Sequence, residues 1–509
     1  MNGNTATRAS KQEWEGDLLS RKAYADFLTK LIRSRCEPIQ AGGNHRAFTL
    51  AIDGDWGSGK SFFANKWSRD LRALELPVVF FDAWKCDSAS EPLIALMSEI
   101  KKQLEPLIEK LPKAKRVQQK GREAWKLVKN SARKIAVPVG KIVGATALKQ
   151  FSGLSWDDLG EPDSATDSDG DDDKVGVNIE ESIEKIAEKL GVQLEKEYEA
   201  RQHSIAAFRE HLEKTVVLLD EHRVVTTPLV VFVDELDRCR PDFAIKLIEV
   251  VKHLFDVPGV CFVVSTNMKQ LSESVRAVYG GGFDAAHYLQ RFFDLTYHLP
   301  PPDHYRYAMS LFAAWPQTLR KLSRDGYVYS HSSSADVQAH LFAATAREFA
   351  LDLRTQKKVF DTALTASSAI PQGAAAHSLF LFFLSALYVQ RRDGWDNFWS
   401  LPNDSQSFVR WYSATVHEVE KSTRLGDINS EIECEPPRVQ YQQVVYEYWR
   451  LAVLTGEQLL AAINSTERRS EAQTLRGQML SAVANSFSRD GRASIYDYKL
   501  HIELAGQTL

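Results

Sequence analysis

The sequence predicts an α/β fold in which helices cover both faces of a parallel sheet, followed by a mostly helical C-terminal region. Short apolar runs alternate with helical stretches, and each run is continuously apolar, as in strands buried on both faces. The runs that we assign to strands are Phe48–Asp53, Pro77–Asp82, Leu229–Val233, Val260–Ser265 and Asp294–Leu299. From about residue 303 the pattern becomes mostly helical and rich in aromatic residues.

Helical periodicity predicts three further elements in the first half of the chain. Residues 12–35 form an amphipathic pattern, residues 61–73 follow the first strand, and a long helix begins at Asn178. Near the C-terminus, Ile495–Leu504 alternates tyrosine and aliphatic residues with polar ones. This alternation predicts a strand with one face in solvent.

The composition is that of a globular chain rather than a disordered one, because 44% of the 509 residues are hydrophobic. The net charge of −4 comes from 63 basic and 67 acidic residues and does not indicate nucleic-acid binding. The five cysteines form no CxxC pair, which favours a reducing compartment and argues against a zinc site. Because the first residues are polar, we expect no signal peptide and a cytoplasmic protein.

Two apolar stretches, Ile135–Leu148 and Ala374–Val389, are shorter than the roughly 20 residues that a membrane-spanning helix needs. We expect both to be buried helices or surface-docking segments, and we predict no transmembrane span. Peripheral binding at the inner membrane face stays open as an alternative.

An insert of unusual composition separates the second and third predicted strands. Residues 113–149 carry eleven Lys or Arg residues and one Glu, whereas residues 157–173 carry nine acidic residues and no basic one. The acidic stretch predicts a disordered linker. The basic tract could bind nucleic acid or anionic lipid. It could equally be a solvated helix face, or a segment that folds against the acidic linker.

The segment after the first predicted strand matches the phosphate-binding pattern GxxxxGK[ST] in full. Its glycines let consecutive backbone N–H groups form a phosphate cradle, and the following helix adds its positive N-terminal end. Lys60 should reach the β- and γ-phosphates, and the Ser61 hydroxyl should bind Mg²⁺. A chance match on a glycine-rich turn is the alternative. The predicted nucleotide-binding residues are Gly54, Asp55, Trp56, Gly57, Ser58, Gly59, Lys60, Ser61 and Phe62.

The third predicted strand ends in two acidic residues, which is the Walker B arrangement. A carboxylate at the end of a buried parallel strand lies beside the phosphate loop, so we assign Asp234 to the metal. We assign Glu235 as the base that orients the attacking water. A helix-capping Asp-Glu pair is the alternative. Together the two motifs predict a P-loop NTPase that binds ATP with Mg²⁺.

Two further polar residues follow the predicted core strands. Asn267 comes after the fourth strand, where it can contact the water or the γ-phosphate, or simply form a turn. Arg291 precedes the fifth strand, where it can act as a finger on a neighbouring subunit's nucleotide, or form a surface salt bridge.

These residues together resemble the KAP family of P-loop NTPases, a divergent relative of the AAA+ and STAND ATPases. The resemblance covers roughly residues 12–370. It is carried by the loop GDWGSGKS and by four further segments: FFDAW (Phe80–Trp84), DELDRC (Asp234–Cys239), YLQRFF (Tyr288–Phe293) and LDLR (Leu351–Arg354).

The resemblance implies that Arg354 is a sensor arginine from a helical lid. It also implies an ATPase of bacterial anti-phage defence that works with an operon-encoded effector as its partner. Many family members carry membrane hairpins between the two Walker motifs, whereas the insert in this chain has neither the length nor the apolarity to span.

On this reading the chain has five parts. Residues 1–112 hold the N-terminal helix and the first part of the NTPase core, and residues 113–177 hold the insert and linker. Residues 178–302 complete the core, residues 303–370 form the helical lid, and residues 371–509 form a helical C-terminal domain.

Three functions remain open on the sequence alone. The favoured one is a regulatory ATPase whose nucleotide state drives assembly into a homo-oligomer and controls a partner. The alternatives are a nucleic-acid-dependent ATPase of the motor or loader type, and a membrane-surface scaffold that binds nucleotide.

Overall fold

The computed structural model describes most of the chain and leaves several segments undescribed. The described residues are 13–14, 16–36, 47–89, 91–111, 122–123, 125–128, 199, 202–254, 257–315, 322–323, 334–370, 376–416, 440–464, 480, 483 and 494–507.

The chain divides into two compact units. The first, here called the sheet unit, comprises Met1–Glu15, Lys22–Asp53 and Ser61–His298. The second, here called the helical unit, comprises Gly16–Arg21, Gly54–Lys60 and Leu299–Leu509. The segment Gly54–Lys60, which carries the phosphate-binding pattern, thus belongs to the helical unit, although it directly follows a strand of the sheet.

The sheet has five parallel strands in the order β2-β3-β4-β1-β5, which confirms the predicted fold class. Each strand lies within about one residue of its predicted bounds. The strands are β1 (Phe48–Asp53), β2 (Val78–Asp82), β3 (Leu229–Asp234), β4 (Val260–Thr266) and β5 (Leu295–His298). β1, β3 and β4 are buried along almost their whole length, which explains their continuous apolar runs.

Helices pack on both faces of this sheet, as predicted. They are α1 (Lys22–Cys36), α2 (Lys60–Ala73), α3 (Pro92–Glu109), α4 (Pro241–Glu249), α5 (Met268–Tyr279) and α6 (Ala285–Gln290), and residues 202–221 are also helical. Successive residues of β3 point to opposite faces of the sheet. On one face the ring centres of Phe232 and Trp67 in α2 lie 5.3 Å apart, and on the other Val231 and Val233 pack in the core formed with α3 and α4.

The first helix starts later than the sequence pattern predicts. We expected a helix over residues 12–35, but α1 begins at Lys22, and Leu18 and Phe27 of the expected apolar stripe are exposed. Left-handed backbone at Gly16 (φ +79°) and Ser20 (φ +54°) breaks the helical path before Lys22.

The helical unit contains helices that share one aromatic core. They are α7 (His304–Ala314), α8 (Ser334–Glu348), α9 (Leu353–Ser368), α10 (Ser378–Gln390), α11 (Arg392–Phe398), α12 (Ser405–Thr415), α13 (Tyr441–Ala452), α14 (Gly456–Asn464) and α15 (Tyr498–Gln507). α10 covers most of the Ala374–Val389 stretch, ends one residue beyond it at Gln390, and is buried from Ser378 to Leu387, as expected of a core helix. In the part of the chain that the structure describes, no helix has the length and apolarity to cross a membrane.

The predicted C-terminal strand is wrong. Ile495–Leu504 forms a short 3₁₀ turn followed by α15. Its buried residues Tyr498, Ile502 and Ala505 follow helical spacing, which the tyrosine alternation obscured.

Several predicted segments lie outside the described residues. These are the acidic tract 157–173, the helix expected from Asn178, the stretch Ile135–Leu148, and the basic tract 113–149 apart from residues 122–123 and 125–128.

Candidate functional site

Three carboxylates lie at the same edge of the sheet, because parallel strands end on the same side. β1 ends at Asp53, β2 at Asp82 and β3 at Asp234, and Asp82 is directly opposite Asp234 in the register. Asp234 is buried, with 4% of its surface exposed. Asp82 pairs with Lys85 at 2.6 Å. Ligands of parallel-sheet proteins bind at this kind of edge.

The phosphate loop, Gly54–Lys60, leaves β1 and enters α2. Gly57 (φ +75°) and Gly59 (φ +89°) adopt backbone conformations that other residues rarely occupy. The Lys60 ammonium donates hydrogen bonds to the carbonyls of Gly54 at 2.6 Å and Asp55 at 3.1 Å. The lysine therefore folds back across the loop to which it belongs.

Residues distant in sequence hold this loop within the helical unit. The buried guanidinium of Arg21 donates to the Ser58 carbonyl at 3.0 Å, and the Leu353 N–H donates to the Gly57 carbonyl at 3.3 Å. Asp352 lies so close that a Cβ on Gly57 would be 2.4 Å from its carboxyl carbon. Neither Arg21 nor Asp352 was among the predicted site residues, although Asp352 stands in the LDLR segment.

Asp234 and Ser61 form the part of the site that fits a metal. Burial raises the pKa of Asp234, while the Ser265 and Ser61 hydroxyls and the Glu235 amide act in the opposite direction. In the described part of the chain, this edge included, no three His, Cys, Asp or Glu side chains form a group that could hold a metal ion by themselves. One hydroxyl and one carboxylate suit Mg²⁺, which usually takes few protein ligands and completes its shell with phosphate oxygens and water.

Glu235, the candidate base, has left-handed backbone (φ +59°, ψ +31°), which is uncommon outside glycine and asparagine. Its carboxylate forms an ion pair with Arg238 at 2.9 Å. Burial raises the pKa of Glu235 and Arg238 lowers it, while the neighbouring carboxylates of Asp234, Asp82 and Asp237 raise it further. Strained backbone at a polar site motivates a functional reading of this residue.

The remaining predicted residues are placed as follows. Asn267 is buried and caps α5, where its side-chain oxygen accepts from the N–H groups of Lys269 at 3.0 Å and Gln270 at 3.2 Å. Arg291 is exposed at the end of α6, with its guanidinium 5.0 Å from the Tyr288 ring centre. Arg354 is exposed in the first turn of α9. The predicted roles of these residues in catalysis stay predictions.

Asp53 also lies at this edge of the sheet, although it was not among the predicted site residues. Its carboxylate accepts from the Met268 N–H at 2.8 Å and contacts the His298 ring nitrogen at 2.9 Å. It therefore ties the end of β1 to the start of α5 and to β5. The signal for it was available, since an acidic residue ends the first apolar run.

Comparison with known proteins agrees with this geometry. The family model described as the KAP family P-loop domain matches residues 21–365, and no curated protein matches the chain. The matched region contains the phosphate loop, the five strands and the LDLR segment, and implies nucleotide binding. Because the match covers well over half of the sequence, the chain belongs to the KAP family of P-loop NTPases.

Proposed function

We propose that this protein binds ATP with Mg²⁺, hydrolyses it, and uses the nucleotide state to drive oligomerisation and control of a partner. The observation that carries the proposal is the buried Asp234 carboxylate beside Ser61, at the end of the strand that precedes Glu235. A buried carboxylate needs a compensating charge or hydrogen bonds, and a bound Mg²⁺ would supply such a charge.

Each residue of the site has a distinct task in this proposal. Lys60 would hold the β- and γ-phosphates, and Ser61 and Asp234 would hold Mg²⁺, which would supply positive charge to the phosphate oxygens. Glu235 orients the water and accepts its proton. Arg354 and Asn267 are the candidate contacts to the γ-phosphate or the water.

Two substitutions test binding and turnover separately. Lys60→Ala should abolish tight ATP binding, because it removes the positive side chain that the loop supplies. Glu235→Gln should bind ATP and lose hydrolysis, because the amide has a similar size but cannot act as a base. Lys66→Ala is the matched control, since Lys66 stands in the same helix and donates to the Glu13 carbonyl instead.

Calorimetry with ATP and a phosphate-release assay give the two readouts. Normal turnover by Glu235→Gln would refute the base assignment and move it to Asp237. Unchanged affinity in Lys60→Ala would refute the site itself.

Oligomerisation is proposed from the position of Arg291. Its side chain is exposed at the end of α6 and is held over Tyr288, so it is available to a second copy of the chain. Arg291→Ala should bind ATP normally and hydrolyse it poorly, because an arginine finger contributes on the order of 10³–10⁵ in rate. Mixing this variant with Glu235→Gln should recover part of the activity at interfaces that combine an intact finger with an intact base. Full turnover by Arg291→Ala alone would refute the finger.

The biological setting follows by analogy with the family alone: cytoplasmic anti-phage defence with an operon-encoded effector. The basic tract 113–149 supports a nucleic-acid or membrane-surface contact as the alternative. Stimulation of hydrolysis by DNA or RNA would favour the first. Salt-sensitive liposome binding that is lost when residues 113–149 are deleted would favour the second.

A further inference from the structure

The carboxylate of Glu235 lies in an unusual electrostatic setting within the sheet unit. The carboxylates of Asp234, Asp82 and Asp237 are close enough to act on it, and all of them repel it. Like charges at short range repel one another. A positive charge in direct contact with the Glu235 carboxylate would therefore help to keep it at the edge of the sheet.

Arg238 makes the contact that opposes this repulsion. The 3₁₀ turn Leu236–Arg238 brings its guanidinium to 2.9 Å from the Glu235 carboxylate. Both partners are partly shielded, with side-chain exposures of 30% for Arg238 and 19% for Glu235. Because the pair is less exposed than a typical surface ion pair, water screens its attraction less.

Arg238 is itself held by an aromatic ring. Its guanidinium carbon lies 5.4 Å from the centre of the Trp84 ring, within the range of a cation–π contact. Trp84 follows β2 closely, and 52% of its surface is exposed, which is unusual for a tryptophan. The cation–π contact gives this exposed ring a partner. A planar guanidinium can stack on the ring and bind a carboxylate at the same time, which an ammonium does less well.

We propose that Arg238 is a positioning residue for ATP hydrolysis, which holds the Glu235 carboxylate ready for the attacking water while Trp84 holds the guanidinium of Arg238. This inference rests on the proposed function and adds two residues to its machinery. Arg238 touches neither phosphate nor metal in this scheme, so its loss should lower the rate of the chemical step and spare nucleotide binding.

The main experiment measures steady-state ATP hydrolysis by Arg238→Ala. We expect kcat to fall by roughly 10- to 100-fold, because a displaced base loses most of its effect, while KM stays within about twofold. Arg238→Lys should recover part of the loss, since the charge remains but the stacking weakens. Trp84→Ala should lower kcat less than Arg238→Ala does, because the ion pair remains without its support.

Arg240→Ala is the matched control. Arg240 is two residues further on and forms an ion pair with Asp87 at 3.0 Å, outside the contacts of Glu235. We expect this variant to keep wild-type kcat and KM. Circular dichroism of every variant shows whether the fold is intact.

A double variant separates positioning from a merely structural role. If Arg238 acts through Glu235, then Arg238→Ala should cost nothing further in a Glu235→Gln background, measured in single turnovers. Additive losses, wild-type kcat in Arg238→Ala, or an equal loss in Arg240→Ala would each overturn the inference. Failure of the proposed function looks different, because then the wild type would not hydrolyse ATP or Glu235→Gln would do so normally.

Discussion

Gly57 of the phosphate loop offers a quantitative test of how the helical unit holds this loop. Replacing it with alanine introduces one methyl group at a position with φ +75°. That methyl would stand 2.4 Å from the Asp352 carboxyl carbon and 2.6 Å from the Asp352 Cβ, distances at which neither side can remain in place. The substitution therefore has two separate costs.

The first cost is the left-handed backbone, which is about 1–2 kcal/mol for a residue with a Cβ. The second comes from displacing Asp352, which caps α9 by accepting from the N–H groups of Arg354 at 2.8 Å and Thr355 at 2.9 Å. Loss of such a cap costs about 1 kcal/mol. We expect Gly57→Ala to lower the free energy of unfolding by about 2–3 kcal/mol in total.

Urea unfolding without nucleotide, followed by circular dichroism, measures this loss. Gly59→Ala is the matched control, because Gly59 has φ +89° but its added methyl would meet only Leu353 at 3.7 Å, an ordinary contact. Gly59→Ala should therefore lower the free energy of unfolding only by the cost of the left-handed backbone, about 1–2 kcal/mol. Asp352→Gly removes the colliding atoms, so Gly57→Ala should cost about 1 kcal/mol less in that background than in the wild type. Equal costs for Gly57→Ala in both backgrounds would refute the contact with Asp352.

Substitutions at three further residues test other contacts. Asn267→Ala should lower the free energy of unfolding by about 1 kcal/mol, because it removes the cap of α5. Asn267→Ser should retain most of the stabilisation that the cap provides, because a serine hydroxyl can also accept from the first N–H groups of the helix. If Asn267→Ser is stable but hydrolyses ATP slowly, the residue also acts as a sensor. Phe312→Ala should cost about 3–5 kcal/mol by urea unfolding, because its ring contacts those of Phe342, Phe360 and Phe382 in the core. Thr29→Val should cost about 1–3 kcal/mol by the same measurement, because it leaves the buried Trp67 N–H without its 2.9 Å acceptor.

The sheet could be predicted from the sequence because its buried strands appear as short, continuously apolar runs. A strand that is buried on both faces must be apolar at every position, and runs such as VVFVD have few other interpretations. The ends of the helices were predicted less well. The residue type at a position such as Ser20 does not show that its backbone is left-handed. In Ile495–Leu504, tyrosine and aliphatic residues alternate with polar ones in the sequence, so the segment was predicted to be a strand although it folds mainly as a helix.

The positions of the motifs could also be predicted from the sequence, because the chemistry of phosphate binding restricts both residue type and spacing. The loop Gly54–Lys60 directly follows β1, and Asp234 is the last residue of β3. What the sequence did not indicate is which residue each of them contacts. Arg238 was read as part of a family motif, and only the structure joins it to Glu235 on one side and Trp84 on the other.

The contact between Gly57 and Asp352 shows why this second kind of information is missing from a single sequence. The pattern GxxxxGK[ST] leaves position 57 free. The positive φ of Gly57 is one reason for glycine there, and a second lies about 300 residues further on, where Asp352 stands against the loop and caps α9. Each residue satisfies a local rule that many others would also satisfy, glycine for a turn and aspartate for a cap. Their mutual constraint exists only once the chain has folded, so it can be tested by paired substitution but not inferred from either residue alone.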